Sequence, residues 1–101
     1  MKDFEKFINI KSKYVKIAYK NNLTFEELMA IFTLKAKELK MNEMVQIILD
    51  GYGGEINSIK VKVTTISNSL VKKGFAIKKK NINDKRITLI KLSQKGLDLL
   101  K

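Results

Sequence analysis

Residues 70–92 read LVKKGFAIKKKNINDKRITLIKL. Leu70 closes a helical register, Gly74 stops it, and two short runs follow. Phe75–Lys80 and Arg86–Leu92 are rich in β-branched and apolar residues, and Asn81–Lys85 between them is polar and turn-forming. A helix followed by a hairpin is the local reading. The stretch lies within a segment that carries nearly all of the chain's net charge. From Ser58 to Lys101 there are 12 Lys/Arg against Asp84 and Asp98, a net of +10, whereas Met1–Asn57 carries 9 Lys and 8 Asp/Glu. Charge gathered on a helix and a hairpin is the electrostatic footprint of a polyanion binder.

Upstream, Ile59-Lys-Val-Lys-Val-Thr64 alternates and is β-branched, so local propensity favours a strand. Ile59, Val63, Ile66 and Leu70 nevertheless hold one face at helical spacing up to Gly74, a good residue just past a helix end. The longer register favours a helix over about Ser58–Lys73. Its far side shows Val61, Thr65, Asn68 and Lys72, flanked by Lys62, Thr64 and Ser69. A third helix is expected after Asn42, with Met44, Val45, Ile48 and Leu49 inward, broken by Gly51-Tyr-Gly-Gly54. That glycine run lacks the Gly-Lys-Ser/Thr ending of a phosphate loop.

Toward the N-terminus, Thr24-Phe-Glu-Glu27 is a capping box with Leu23 and Leu28 at the staple positions. The helix it opens carries Leu28, Ile31, Phe32 and Lys35 before fading near Glu38. Phe4, Phe7, Ile8, Tyr14, Val15 and Ala18 recur at three- and four-residue spacing, forming one stripe of a helix over about Asp3–Lys20 that Lys11 interrupts. At the other end Ser93 can cap a final short helix.

The 101 residues read as one mainly α domain with a small β-hairpin, spanning 1–101: a helix at about 3–20, a helix-turn-helix at 42–73 and a wing at 75–92. Helix, break, basic helix and basic hairpin is the layout of a winged helix-turn-helix. Cysteine and histidine are both absent, which excludes disulfides, zinc sites and Ser-His catalysis. No pair of titratable groups is placed for catalysis, so the expectation is a non-enzyme without metal or cofactor. No apolar run approaches a membrane span and no signal-peptide core follows Met1, so the expected location is cytoplasmic.

The far side of the basic helix suits a major groove. Asn68 can pair with adenine edges, and the methyls of Val61, Thr64 and Thr65 can touch thymine methyls, with Lys62 beside them. Lys60 and Lys72 can take phosphates at the flanks, as can Lys78, Lys79 and Lys80 on the hairpin.

Three pieces resemble the wing signature of the MarR family, which runs Leu, Gly-aliphatic, Asp-x-Arg, then Leu-Thr-x-Lys-Gly. They are Leu70-x-x-x-Gly74-Phe75-x-Ile77, Asp84-Lys85-Arg86 and Leu92-Ser-Gln-Lys-Gly96. The ten-residue step from Gly74 to Asp84 matches too. Leu23-Thr-Phe-Glu-Glu-Leu28 is similar to the start of the second helix in the staphylococcal SarA branch. The resemblance implies a dimeric transcription regulator of double-stranded DNA. Its recognition helix would enter the major groove. Arg86, held by Asp84 and next to Lys85, would enter an A·T-rich minor groove. The family's long C-terminal helices have no counterpart before Lys101, so homodimerisation is expected through Phe4, Phe7 and Ile8. A plasmid partition or replication accessory protein is the alternative, because the same wing would serve it.

Overall fold

The computed structural model describes residues 2–35, 37–52 and 55–101. Five helices and three strands follow one another among them: α1 (Lys2–Lys20), α2 (Phe25–Thr33), β1 (Leu39–Lys40), α3 (Met41–Tyr52), α4 (Ile56–Lys72), β2 (Ala76–Lys80), β3 (Thr88–Leu92) and α5 (Gln94–Leu99). The α3–α4 pair followed by the β2–β3 hairpin is a winged helix-turn-helix. The turn between α3 and α4, expected at the glycines, falls on residues 53 and 54, and it lies outside the described residues together with the side chain of Leu49.

Helix starts are set by side chains reaching back to orphan amides. In α2 the full capping box is formed: Thr24 Oγ1 accepts from the Glu27 N–H at 3.1 Å, and Glu27 Oε1 accepts from the Thr24 N–H at 2.8 Å. Glu43 does the second half of this job for α3, accepting from the Lys40 N–H at 2.9 Å. Glu55 stands before α4 and accepts from the Ser58 N–H at 3.0 Å. The helical register of α4 prevails over its β-branched composition because it buries Ile59, Val63 and Leu70, with Ile66 packed at the edge of the same core. Ser67 is also fully buried on this side, its hydroxyl against the Met44 sulfur at 3.7 Å. Burial of such a face outweighs a propensity difference of about 1 kcal/mol. At the far end Gly74 takes φ +86°, the Gly74 N–H bonds to the Val71 carbonyl, and the Phe75 N–H bonds to the Leu70 carbonyl. This double closure turns the chain out of the helix and into the wing.

The strand order is β1-β3-β2, antiparallel throughout. β1 was not expected. Leu39 and Lys40 pair with Ile90 and Leu89, so β3 is central and Leu39 and Ile90 meet inside the core. Two residues carry no readable period. The hairpin strands are shorter than expected, because Phe75 is spent on the α4 closure and Arg86 and Ile87 belong to the turn.

One apolar expectation fails. Phe32 stays 42% exposed: its ring meets Tyr14 of α1 edge-on, with centroids 5.9 Å apart, and that contact leaves much of it in water. In α1 only the C-terminal half packs on the core: Ala18 is buried and Tyr14 and Ile17 lean against it, whereas Val15, Phe4, Phe7 and Ile8 remain exposed. The molecule is correspondingly elongated, 50 × 31 × 20 Å.

Glu27 joins α2 to α4. Its carboxylate, on a residue only 3% exposed, accepts from Ser69 Oγ at 2.6 Å and from Lys73 Nζ at 2.8 Å, in addition to the cap. Lys73 also donates to the Asn22 carbonyl at 2.7 Å. Burial acts to raise the Glu27 carboxyl, but the hydrogen bonds from Lys73, Ser69 and the Thr24 N–H, with attraction to Lys73, outweigh it and hold the pKa below its ordinary value of 4.5. A folded pKa below the unfolded one gives stability above the unfolded value, lost as pH falls through the folded one. Glu27→Gln should lower stability at pH 7 by about 2–3 kcal/mol and flatten its acid dependence below pH 4.5, both read from urea melts.

Candidate nucleic-acid interface

The exposed side of α4 follows directly from its buried side. With Ile59, Val63 and Leu70 inward, Val61 is left 67% exposed, and Lys60, Lys62, Thr64, Thr65, Asn68 and Lys72 are exposed as well. Short hydroxyl and amide side chains therefore stand on one side of the helix with lysines around them. Val61 is a large apolar group in a basic setting, a cost in water that contact with a partner would remove.

The wing is tied to the C-terminal end of α4 by the residues of the Leu-Ser-Gln-Lys-Gly run. Ser93 Oγ bonds the Gly74 carbonyl and accepts from the Gly96 N–H at 3.2 Å, starting α5. Lys95 Nζ donates to the Lys73 carbonyl at 2.9 Å and lies 4.4 Å from the centre of the Phe75 ring. At Gly96 an added Cβ would sit 2.4 Å from the Phe75 carbonyl oxygen, so no side chain fits there. These residues build the junction and leave the wing tip to do something else.

The tip is stitched from inside. Asn81 Oδ1 accepts from the Asn83 N–H at 2.8 Å and the Asp84 N–H at 3.3 Å, and the Ile87 N–H reaches the Asp84 carbonyl at 3.0 Å. Asp84 then receives Arg86 three times. Oδ1 accepts from the Arg86 N–H at 3.1 Å and from Nε at 3.0 Å, and Oδ2 accepts from a terminal guanidinium nitrogen at 3.0 Å. The Arg86 side-chain bonds, then its backbone N–H, lower the Asp84 pKa, and Asp84 raises that of Arg86. The Arg86 side chain is still 91% exposed. One edge of its fork is held and the remaining donors face outward. Lys85 is exposed beside it.

The three wing lysines do not form one row. Strand alternation puts Lys78 and Lys80 on one face and Lys79 on the other. Lys79 Nζ pairs with Glu38 at 3.1 Å, and Lys80 Nζ bonds Thr88 Oγ1 at 3.2 Å across the hairpin. Lys78 Nζ bonds Oδ1 of Asn68, joining wing to α4. Sequence reasoning missed this contact and the one from Glu27 to Lys73, because neither has a local signature. Phe4, Phe7 and Ile8 sit together near the start of α1, the two rings 6.5 Å apart, far along the chain from α4 and the wing. Among the described residues no cluster of three acidic, histidine or cysteine side chains could hold a metal, and no helix is long and apolar enough to cross a membrane.

No protein-family sequence model and no curated protein sequence matches the chain. Solved structures do match its fold. A Staphylococcus aureus MepR–DNA complex superposes with a TM-score of 0.72 at 16% identity, over 98% of this chain and 74% of that one. Streptococcus pneumoniae FabT in complex with DNA gives 0.73 at 20% identity, over 92% of this chain and 62% of that one. A MarR-like transcription regulator from Bacillus cereus gives 0.68 at 21%, over 96% and 66%. The fold of this chain is that of the MarR-type winged-helix proteins.

Proposed function

We propose that this chain is a transcription regulator that binds double-stranded DNA sequence-specifically as a homodimer, and that it lies near the SarA branch of the MarR-type proteins. The observation that carries the reading is the basic helix whose apolar side is buried and whose Val61–Thr65 side is bare, next to a wing whose Arg86 is already oriented by Asp84. Two of the matched folds, MepR and FabT, were solved with DNA bound. The SarA placement rests on the Leu23–Leu28 segment alone.

In this reading α4 enters the major groove. Val61, Lys62, Thr64 and Thr65 meet base edges, with Asn68 at the wing end of the row. Lys60, Lys72, Lys78, Lys79 and Lys80 neutralise phosphates and set the register. Lys79 contributes least, since Glu38 already holds its ammonium. Arg86 enters a narrow A·T-rich minor groove, where the negative potential is enhanced, with Asp84 fixing its plane and Lys85 at the flank. The second protomer docks through Phe4, Phe7 and Ile8, whose exposed rings and branched side chain are costly to leave in water.

The decisive experiment selects bound sequences from random duplex DNA and then measures affinity against salt. A dimer using about 6–10 phosphate contacts should give a log K against log salt slope of roughly −5 to −9. A flat slope, or no retardation of any duplex at low salt, would overturn the reading.

Arg86→Ala should weaken binding by about 1–3 kcal/mol on a duplex whose wing-side flank is A·T-rich, and by clearly less when the flank is G·C-rich. Equal losses on both would make Arg86 a simple phosphate contact.

Phe7 is 56% exposed and holds nothing of the core. Phe7→Glu should leave the circular dichroism of the chain unchanged, convert a sedimenting dimer to the 11.6 kDa monomer, and weaken binding to the selected duplex. A wild-type chain that sediments only as monomer at micromolar concentration would contradict dimerisation.

A further inference from the structure

Lys78 differs from the ion-paired cations around it and from Lys80, which also has a neutral partner, Thr88, but is exposed. Lys73 faces Glu27, Lys79 faces Glu38, and Arg86 faces Asp84. Among the described residues no carboxylate lies within ion-pairing distance of Lys78. Its partner is the neutral carbonyl of the Asn68 side chain. The side chain is half-buried between β2 and α4, and burial lowers its pKa. An ammonium that has already lost part of its water has less hydration to give up to an anion, and it gains more from one.

The contact also fixes Asn68. An ammonium only donates, so Oδ1 must face the wing and the Nδ2 hydrogens must point away. An asparagine reading adenine presents both atoms to the base, accepting with Oδ1 and donating with Nδ2. Here Oδ1 is engaged, and what the pair shows to a ligand is donors: ammonium N–H groups and an amide NH2. A donor-only pair suits an anionic oxygen. With α4 in the major groove and Arg86 in the minor groove, the sugar-phosphate strand dividing the grooves must cross between helix and wing, which is the gap this pair bridges.

We infer that Lys78 and Asn68 together clamp one backbone phosphate between the two grooves, so that Asn68 positions the protein on DNA and does not choose a base. The inference rests on the DNA-binding reading and goes beyond it in giving Asn68 a role that its place on the helix does not suggest.

The test uses the full chain and the duplex obtained by selection. Lys78→Ala should lower affinity about ten-fold on every sequence and reduce the salt slope by about one unit. Asn68→Ala should also weaken binding, with unchanged base preference on reselection, and adding it to Lys78→Ala should cost little more. Asn68→Asp should be worse than Asn68→Ala, because the carboxylate would take up Lys78 and face the phosphate. Replacing phosphates one at a time by neutral methylphosphonates should reveal one position whose effect disappears in Lys78→Ala. A changed base preference in Asn68→Ala, a gain of cytosine preference in Asn68→Asp, or independent, fully additive losses would overturn the clamp while leaving the regulator reading intact. Failure of the wild-type chain to bind any duplex would overturn the regulator reading itself and the clamp with it.

Discussion

A carboxylate taken out of water needs partners, and Glu27 has found all of them on elements that must be held relative to one another. Its cap bonds begin α2; its bonds to Ser69 and Lys73 fix the last turn of α4. Lys73 in turn reaches the Asn22 carbonyl, at the positive-φ turn that ends α1. Three helices are thus referenced to one side chain. Hydrophobic burial brings these helices together but leaves their rotation loosely defined, since apolar contact is non-directional. Hydrogen bonds to a charged group are directional and cost dearly if broken in a buried place. The side of α4 that faces outward is decided by this pairing as much as by Leu70 and Val63.

From the same end of α4 the wing is attached without slack. Gly74 turns the chain, Ser93 and Lys95 fasten the start of α5 to the Gly74 and Lys73 carbonyls just past α4, and Gly96 lets α5 approach the Phe75 carbonyl closely. Much of the family-like signature around the wing therefore serves the junction. Asp84 and Arg86 stand at the wing tip, away from that junction, and their pairing adds shape where the lysines add charge.

Helix α4 and the hairpin were legible because their signals are local and redundant: an apolar face at helical spacing that ends on Gly74, and a polar turn between two apolar runs. Thr24 and Glu27 announced their capping box in the same way. What was not legible depends on elements meeting in space. β1 is a two-residue strand, visible only through its partner Ile90. Phe32 has the right spacing for the core, yet it meets the Tyr14 ring of α1 edge-on and stays largely exposed. Lys78, Lys79 and Lys80 read as a uniform basic triplet, but a strand sends alternate residues to opposite faces, and one of the three was met by Glu38. Of the candidate interface, most of the exposed residues on α4 could be read from the chain, but Ser69, read as part of the exposed flank, is half-buried and donates to Glu27, and the engagements of the others had no local signal.

β1 is short, but its position in the chain gives it a mechanical meaning. It ends at Lys40 and α3 begins at Met41, so there is no linker between the strand and the first helix of the helix-turn-helix. An isolated two-stranded hairpin is marginal in water; here β3 is flanked on both sides, and its outer neighbour is spliced to α3. Prying the hairpin loose would strip Leu39 from Ile90 and pull on the start of that helix. Local opening proceeds in cooperative units, and this splice makes the wing and the helix-turn-helix a single one. A force applied at the wing tip is thereby carried into the helices as a rigid displacement, not absorbed as fraying of the sheet.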